Sequence, residues 1–285
     1  MPRYAREYAS RQVQLARSTC LYVATKIGDL KDDIVVVGGL VPSLLIPQGK
    51  RATGVSEHVG TLDLDLGLAL ELLNDGRYHT LAARLRDAGF TQDKPNQGNP
   101  TRQRWHIAGP ESVTVDFLIP PSRLKDRGGA LRHLEKDFAA FIAPGLDLAF
   151  ADRRLVRIDG VTPFGEKAAR DMWVCGPGAY VLLKALAFGL RGQNKDAYDL
   201  YYVVRNFGSG VQDIAASLAP LTQNRNAKKA LEILRRDFLE VDSPGPLRVS
   251  EFLFGGPDSD TQADVVGFVG DLLARCEGGN RRVRT

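Results

Sequence analysis

Two aspartates, Asp63 and Asp65, stand in the run Thr61-Leu62-Asp63-Leu64-Asp65-Leu66. In a β-strand alternate side chains face opposite ways, so Leu62, Leu64 and Leu66 share one face and both acids the other. Their Cα atoms then lie roughly 7 Å apart, two strand rises of about 3.3 Å. Two like charges so placed repel, and a divalent cation held between them and a phosphate group removes the repulsion. The bland reading of a lone D-x-D is a solvated strand face.

The neighbouring segments bear on that choice. Ile34-Val35-Val36-Val37 is a β-branched run of the kind that makes a buried strand, and it breaks at Gly38-Gly39. Residues 40–46 read as a short helix with Pro42 in its first turn. Glycine lets a backbone approach an anion closely, and the free N–H groups of a helix start point at it. No Walker A or G-x-G-x-x-G pattern follows. A polar loop over 47–60 leads into the acidic strand. A later strand, 112–119, sets Val113, Val115, Phe117 and Ile119 on one face and Thr114, Asp116 and Leu118 on the other. Asp116 is thus a third acid in an apolar strand, and it needs a cation, a hydrogen-bond partner or an open site.

The remaining periodicity predicts helices over 4–28, 74–88 and 129–143, a strand over 102–107, a hairpin of 147–151 with 154–158, and a strand over 170–174. Gly28 and Gly89 are placed as helix stops. Beyond Gly176 the pattern is helical, over 178–190, 195–206, 211–220, 224–239 and 259–276. The fold class expected is α+β: a mixed sheet flanked by helices, then a C-terminal helical bundle. The expected domains are 1–175 and 176–285, the second contributing to the active-site cleft.

With 285 residues, 44% apolar and 25% charged, the composition is that of a soluble globular protein. No apolar run approaches the ~20 residues of a membrane helix. Three scattered cysteines without a CxxC suit reduced thiols in the cytoplasm. Net charge is +4 and the pI about 9.0. Basic residues gather at Arg102, Arg104 and His106, at Arg123, Lys125 and Arg127, and in the tail Arg281-Arg282-Val283-Arg284. Such clusters suit RNA or nucleotide phosphates, or a solvated surface. In the helical half, Lys184 lies among Leu182, Leu183 and Leu186, and Asp196 and Asp199 share a helix face. A snorkelling lysine and a water-facing acid pair are the bland readings.

Gly38-Gly39, then Thr61-x-Asp63-x-Asp65, then Asp116 on a later strand resemble the DNA-polymerase-β-like nucleotidyltransferase superfamily. Leu182-Leu183-Lys184-Ala185-Leu186, Arg191 and Lys195-Asp196-Ala197-Tyr198-Asp199-Leu200 look like the K-x-x-A…R…K-D-x-x-D-L signature of AbiEii/MenT-type nucleotidyltransferase toxins of bacterial toxin–antitoxin systems. The resemblance spans about residues 33–206, and the long interval before Asp63 implies an insertion at 47–60. It implies that Asp63 and Asp65 bind Mg²⁺, and that Gly38, Gly39, Ser43 and Thr61 hold the nucleotide. Lys184 would reach the triphosphate, Asp199 would sit in the cleft, and Asp116 would be a further ligand or a general base. The reaction implied moves an NMP from an NTP to an acceptor hydroxyl, with RNA (a tRNA 3′ end) as acceptor and a cognate antitoxin as partner. The alternatives are a small-molecule, antibiotic-type nucleotidyltransferase and a non-catalytic nucleotide-binding module of the same fold.

Overall fold

A computed structural model describes residues 2–8, 10–46, 57–74, 76–93, 103–107 and 113–282, with backbone alone for residues 10, 71 and 278–282. Arg102 and Arg284, the turn 108–110 and most of the 47–60 loop lie outside the described residues. The chain divides into a sheet unit, Ser10–Val41 with Gly60–Cys175, and a helical unit, Met1–Ala9 with Pro42–Val59 and Gly176–Thr285. Of the part read from the sequence as the first domain, the described residues 2–8, 42–46 and 57–59 cluster with the helical unit.

In the sheet unit, α1 (Ser10–Lys26) precedes β1 (Ile34–Val37), all four of whose residues are buried. A 3-10 turn, Gly38–Leu40, leads to α2 (Val41–Leu45), at which the units divide. Then come β2 (Asp63–Leu68), α3 (Leu70–Asn74), α4 (Tyr78–Asp87), β3 (Phe90–Gln92), β4 (Arg104–Ile107) and β5 (Thr114–Ile119). The unit is completed by β6 (Leu131–His133), β7 (Ala139–Ile142), α5 (Asp147–Ala151), β8 (Arg153–Val161) and β9 (Lys167–Cys175). The strands form one mixed sheet in the order β3-β4-β5-β2-β1-β9-β8, with β7 also paired to β5 and β6 to β7. The β1·β9, β2·β5 and β5·β7 pairs are parallel and the others antiparallel.

Alternation along these strands builds the core. Leu64, Leu66, Val115 and Phe117 are fully buried, and Trp105, Phe117 and Phe138 form an edge-to-face cluster with centroids 5.0 to 6.5 Å apart. On the face that carries the acids, Leu146 packs over Gly67 and Val35, closing the sheet just beyond Asp65.

The structure corrects several expected elements. The helix expected over 4–28 is a 3-10 turn, Ala5–Glu7, followed by α1. The Glu7 carboxylate accepts the N–H groups of Arg3 and Tyr4, and Tyr8 packs edge-on to Phe252 in the helical unit. The helix expected over 129–143 is the β6–β7 hairpin, because Phe138 joins the aromatic cluster and β7 extends the sheet beside β5. Asp147–Ala151 is helical, and β8 pairs with β9 instead. The helix expected over 74–88 is α4, which starts at Tyr78, and the unanticipated α3 precedes it.

The helical unit holds α6 (Pro177–Arg191), α7 (Asn194–Asn206), α8 (Val211–Leu218), α9 (Arg225–Asp237), α10 (Pro244–Phe254) and α11 (Ser259–Arg282). Helix α10 was not anticipated: its proline- and glycine-rich opening hides a helix whose Pro244 occupies the first turn, where a missing N–H costs nothing. It packs on α7, with the Tyr198 and Phe252 rings 4.8 Å apart. Among the described residues no helix is long and apolar enough to cross a membrane.

Candidate active site

The acidic strand sits in the middle of the sheet. β2 pairs with β1 so that Asp65 lies opposite Val37, and with β5 so that Asp65 lies beside Asp116 and Asp63 beside Thr114. β4 adds Arg104 opposite Asp116. Arg104, Asp116 and Asp65 therefore form a row across three strands, on the face opposite the aromatic cluster. Asp63 and Asp65 are partly exposed, as strand alternation requires.

The Gly-Gly turn meets this row at Asp65. Gly38 has φ +71°, and a Cβ built on it would lie 1.9 Å from Asp65 Oδ2. Only glycine admits both that backbone conformation and that approach. Gly39 is buried, and Ser43 lies half-buried in α2. Thr61 is buried and donates its hydroxyl to Asp63 Oδ1 at 2.5 Å, orienting that carboxylate.

Asp116 is held from one side by a guanidinium. Arg104 Nε and Nη2 donate to its two oxygens at 3.0 and 2.8 Å. These bonds hold the Arg104 guanidinium above its ordinary pKa, and the charge of Asp63 adds to the effect. From the sequence Arg104 counted only as part of a basic alternation. The signal for its true partner was its phase, shared with His106 and opposite to Trp105.

No three His, Cys, Asp or Glu side chains among the described residues form a ready metal-ligand cluster. Asp63 and Asp65 nevertheless present two hard oxygen donors on one face, and Asp116 is engaged by Arg104. Such a pair suits Mg²⁺, which binds through one or two carboxylates and takes its remaining ligands from water and substrate phosphates.

Lys184 and Asp199 lie in the helical unit, in a buried ionic network. The Lys184 ammonium contacts Asp199 Oδ2 at 2.7 Å and Asp196 Oδ1 at 3.1 Å, and Lys195 also bonds Asp199. Arg191 grips Asp196 through two nitrogens at 2.6 and 2.8 Å. Burial by itself would depress the Lys184 pKa, but Asp199 and Asp196 outweigh it and raise the pKa. Sequence reasoning missed His58, which is stacked on Tyr198 with Nε2 2.9 Å from Asp199 Oδ1. Burial is the main cause that lowers its pKa to about 4, so at neutral pH a neutral imidazole donates that bond. Nothing in the polar stretch around His58 marks it as buried.

No protein-family model and no curated protein matches the chain. Among solved structures, the chain is similar to an antigenic nucleotidyltransferase-like protein from Paracoccidioides brasiliensis at 16% identity and TM-score 0.40, covering 78% of this chain and 87% of that one.

Proposed function

We propose that the chain is a Mg²⁺-dependent nucleotidyltransferase that moves an NMP from an NTP to an acceptor hydroxyl. The observation that carries this reading is the register that sets Asp65 beside Asp116 and against the Gly38 turn, with Asp63 on the same face. Bound by Asp63 and Asp65, magnesium would neutralise the triphosphate and polarise its α-phosphorus. The Gly38-Gly39 backbone, close to Asp65, admits phosphate oxygens where a side chain would collide. Thr61 keeps Asp63 turned to the open face. Asp116, oriented by Arg104, is the third acid, as a further ligand or as base towards the acceptor hydroxyl. Ser43 is assigned to the nucleotide and Lys184 to the triphosphate, on the strength of the motif order alone. Asp199, assigned to the cleft on the same ground, fixes the Lys184 ammonium.

The acceptor we propose is an RNA 3′ end, such as that of tRNA, with the chain as the toxin of a toxin–antitoxin pair. The net charge of +4 and the AbiEii/MenT-like motif order support this. Three unpaired cysteines fit a reducing cytoplasm. Incubating the protein with each labelled NTP, Mg²⁺ and total RNA tests both steps of the reading. Label should enter RNA with wild type, and Asp63→Asn should lower the rate by about three orders of magnitude, because charge neutralisation is what such a site supplies. Without Mg²⁺ the variant should melt no lower than wild type, and it should lose the stabilisation that Mg-NTP gives. A far lower melting point, or wild-type transfer, would make Asp63 a structural acid.

One observation favours a second reading. Arg104 already satisfies both oxygens of Asp116, which suits a nucleotide-binding module that has lost transfer. Tight Mg-NTP binding without label transfer to RNA, protein or small hydroxyl compounds would select it.

A further inference from the structure

We propose that the sheet unit holds a second site, for the phosphate group of a nucleotide or of a polynucleotide backbone, distinct from the acidic face. It is a cavity of about 430 Å³ between α3, the start of α4, the turn after β5 and strand β6. That volume lies within the range of small-ligand pockets, roughly 300–1,000 Å³. The cavity opens beyond the C-terminal ends of β2 and β5, whereas Asp63 begins β2. The length of β2, about 17–20 Å at a strand's rise per residue, separates the two places.

The polar wall of the cavity is cationic. Arg123, Arg132 and His133 line it together with Ser122 and Tyr78, and among the described residues no carboxylate does. Arg132 is the built part: its side chain is 7% exposed. Its Nη1 donates to Ser122 Oγ at 2.8 Å and its Nη2 to Asp126. Its Nε is buried without a hydrogen-bond partner. A buried donor in that state is costly, and turning Arg132 towards an oxyanion in the cavity it lines would relieve it. The same Asp126 carboxylate accepts the backbone N–H groups of Ser122 and Arg123 at 2.8 Å each, fixing the turn that presents Arg123.

Asp126 matches the charge of Arg132, so the excess positive charge belongs to Arg123. Its guanidinium is exposed and meets no acid among the described residues. An unpaired guanidinium beside a half-satisfied buried one suits a phosphate, which accepts several N–H bonds at once. Leu73, Leu134 and the Tyr78 ring supply an apolar side. A phosphate that carries an organic group therefore fits better than a bare ion.

The test uses full-length Asp63→Asn in EDTA, so that no binding depends on a cation at the acidic face. Calorimetric titrations with adenosine 5′-monophosphate, inorganic phosphate, adenosine and a short oligoribonucleotide read the site directly. A phosphorylated probe should bind one to one, and adenosine should not bind. Arg123→Gln, an exposed change, should weaken that binding about tenfold or more without altering the melting point. Lys125→Gln, off the cavity, should leave mononucleotide binding unchanged. Binding of the mononucleotide, displaced by inorganic phosphate, identifies a free nucleotide as the source. Arg123-dependent binding of the oligoribonucleotide alone identifies the polynucleotide backbone. Absence of binding by every phosphorylated probe, or equal binding by Arg123→Gln, overturns the proposal.

Discussion

At the scale of single residues, Arg104 decides what Asp116 is. A buried carboxylate without a partner is costly, and the two-bond guanidinium contact removes that cost. Arg104 is itself 38% exposed, so water screens part of the interaction. Arg104→Leu should destabilise the chain by about 2 kcal/mol, less than a fully buried pair would lose. Urea unfolding checks this, and the double change with Asp116→Leu should recover most of the loss, because two apolar neighbours leave no unpaired charge. If the single and double variants unfold alike, the pair contributes nothing beyond its separate members.

At the scale of elements, the β1-to-α2 turn and the segment ending at Val59 each depend on one side chain or its absence. Gly38→Ala places a methyl group against Asp65 in a left-handed backbone conformation. Transfer activity should fall by about tenfold or more as Asp65 is displaced, and a variant with wild-type kcat/KM would show that the turn does not position the acid. His58 gives a pH signature. It faces Asp199, Lys195, Lys184, Tyr198 and Tyr202. Its folded pKa, about 4, lies below the ordinary 6.5, so the unfolded chain takes up the proton first and stability falls as pH drops through that window. The loss is roughly 3 kcal/mol between pH 6.5 and 4, from ~1.4 kcal/mol per pKa unit. Burial raises the pKa of Asp199, but Lys184, Lys195 and His58 more than reverse it. Its stabilisation is therefore present above the ordinary carboxylate pKa and is lost at still lower pH. Thermal melts of His58→Gln should lack the pH 6.5-to-4 slope that wild type shows.

At the scale of the whole molecule, the net charge of +4 acts through its distribution. Arg123, Lys125 and Arg127 are exposed on one turn, and Leu124 between them is fully exposed. If the chain takes an RNA acceptor, binding of a single-stranded oligoribonucleotide should weaken about tenfold between 50 and 200 mM salt, as counterions compete for phosphates. Anisotropy titrations across that range check it. An affinity indifferent to salt would argue for a small acceptor.

The sequence by itself determined the local alternation: acids opposite leucines in β2, Asp116 out of phase with Val115 and Phe117 in β5, a glycine turn after β1 and helices beyond Gly176. These follow from side-chain period and glycine's backbone freedom, which neighbouring residues set among themselves. Tertiary structure alone decided the partners. The Arg104–Asp116 contact depends on the register of β4 on β5, and the His58–Asp199 bond joins residues 141 positions apart. The same is true of 129–143, where helical spacing gave way to a hairpin. Burying Phe138 against Trp105 and pairing β7 with β5 satisfied more apolar surface and backbone than an isolated helix would have done. Local period reports which residues share a face, while burial and register across the sheet decide what that face meets.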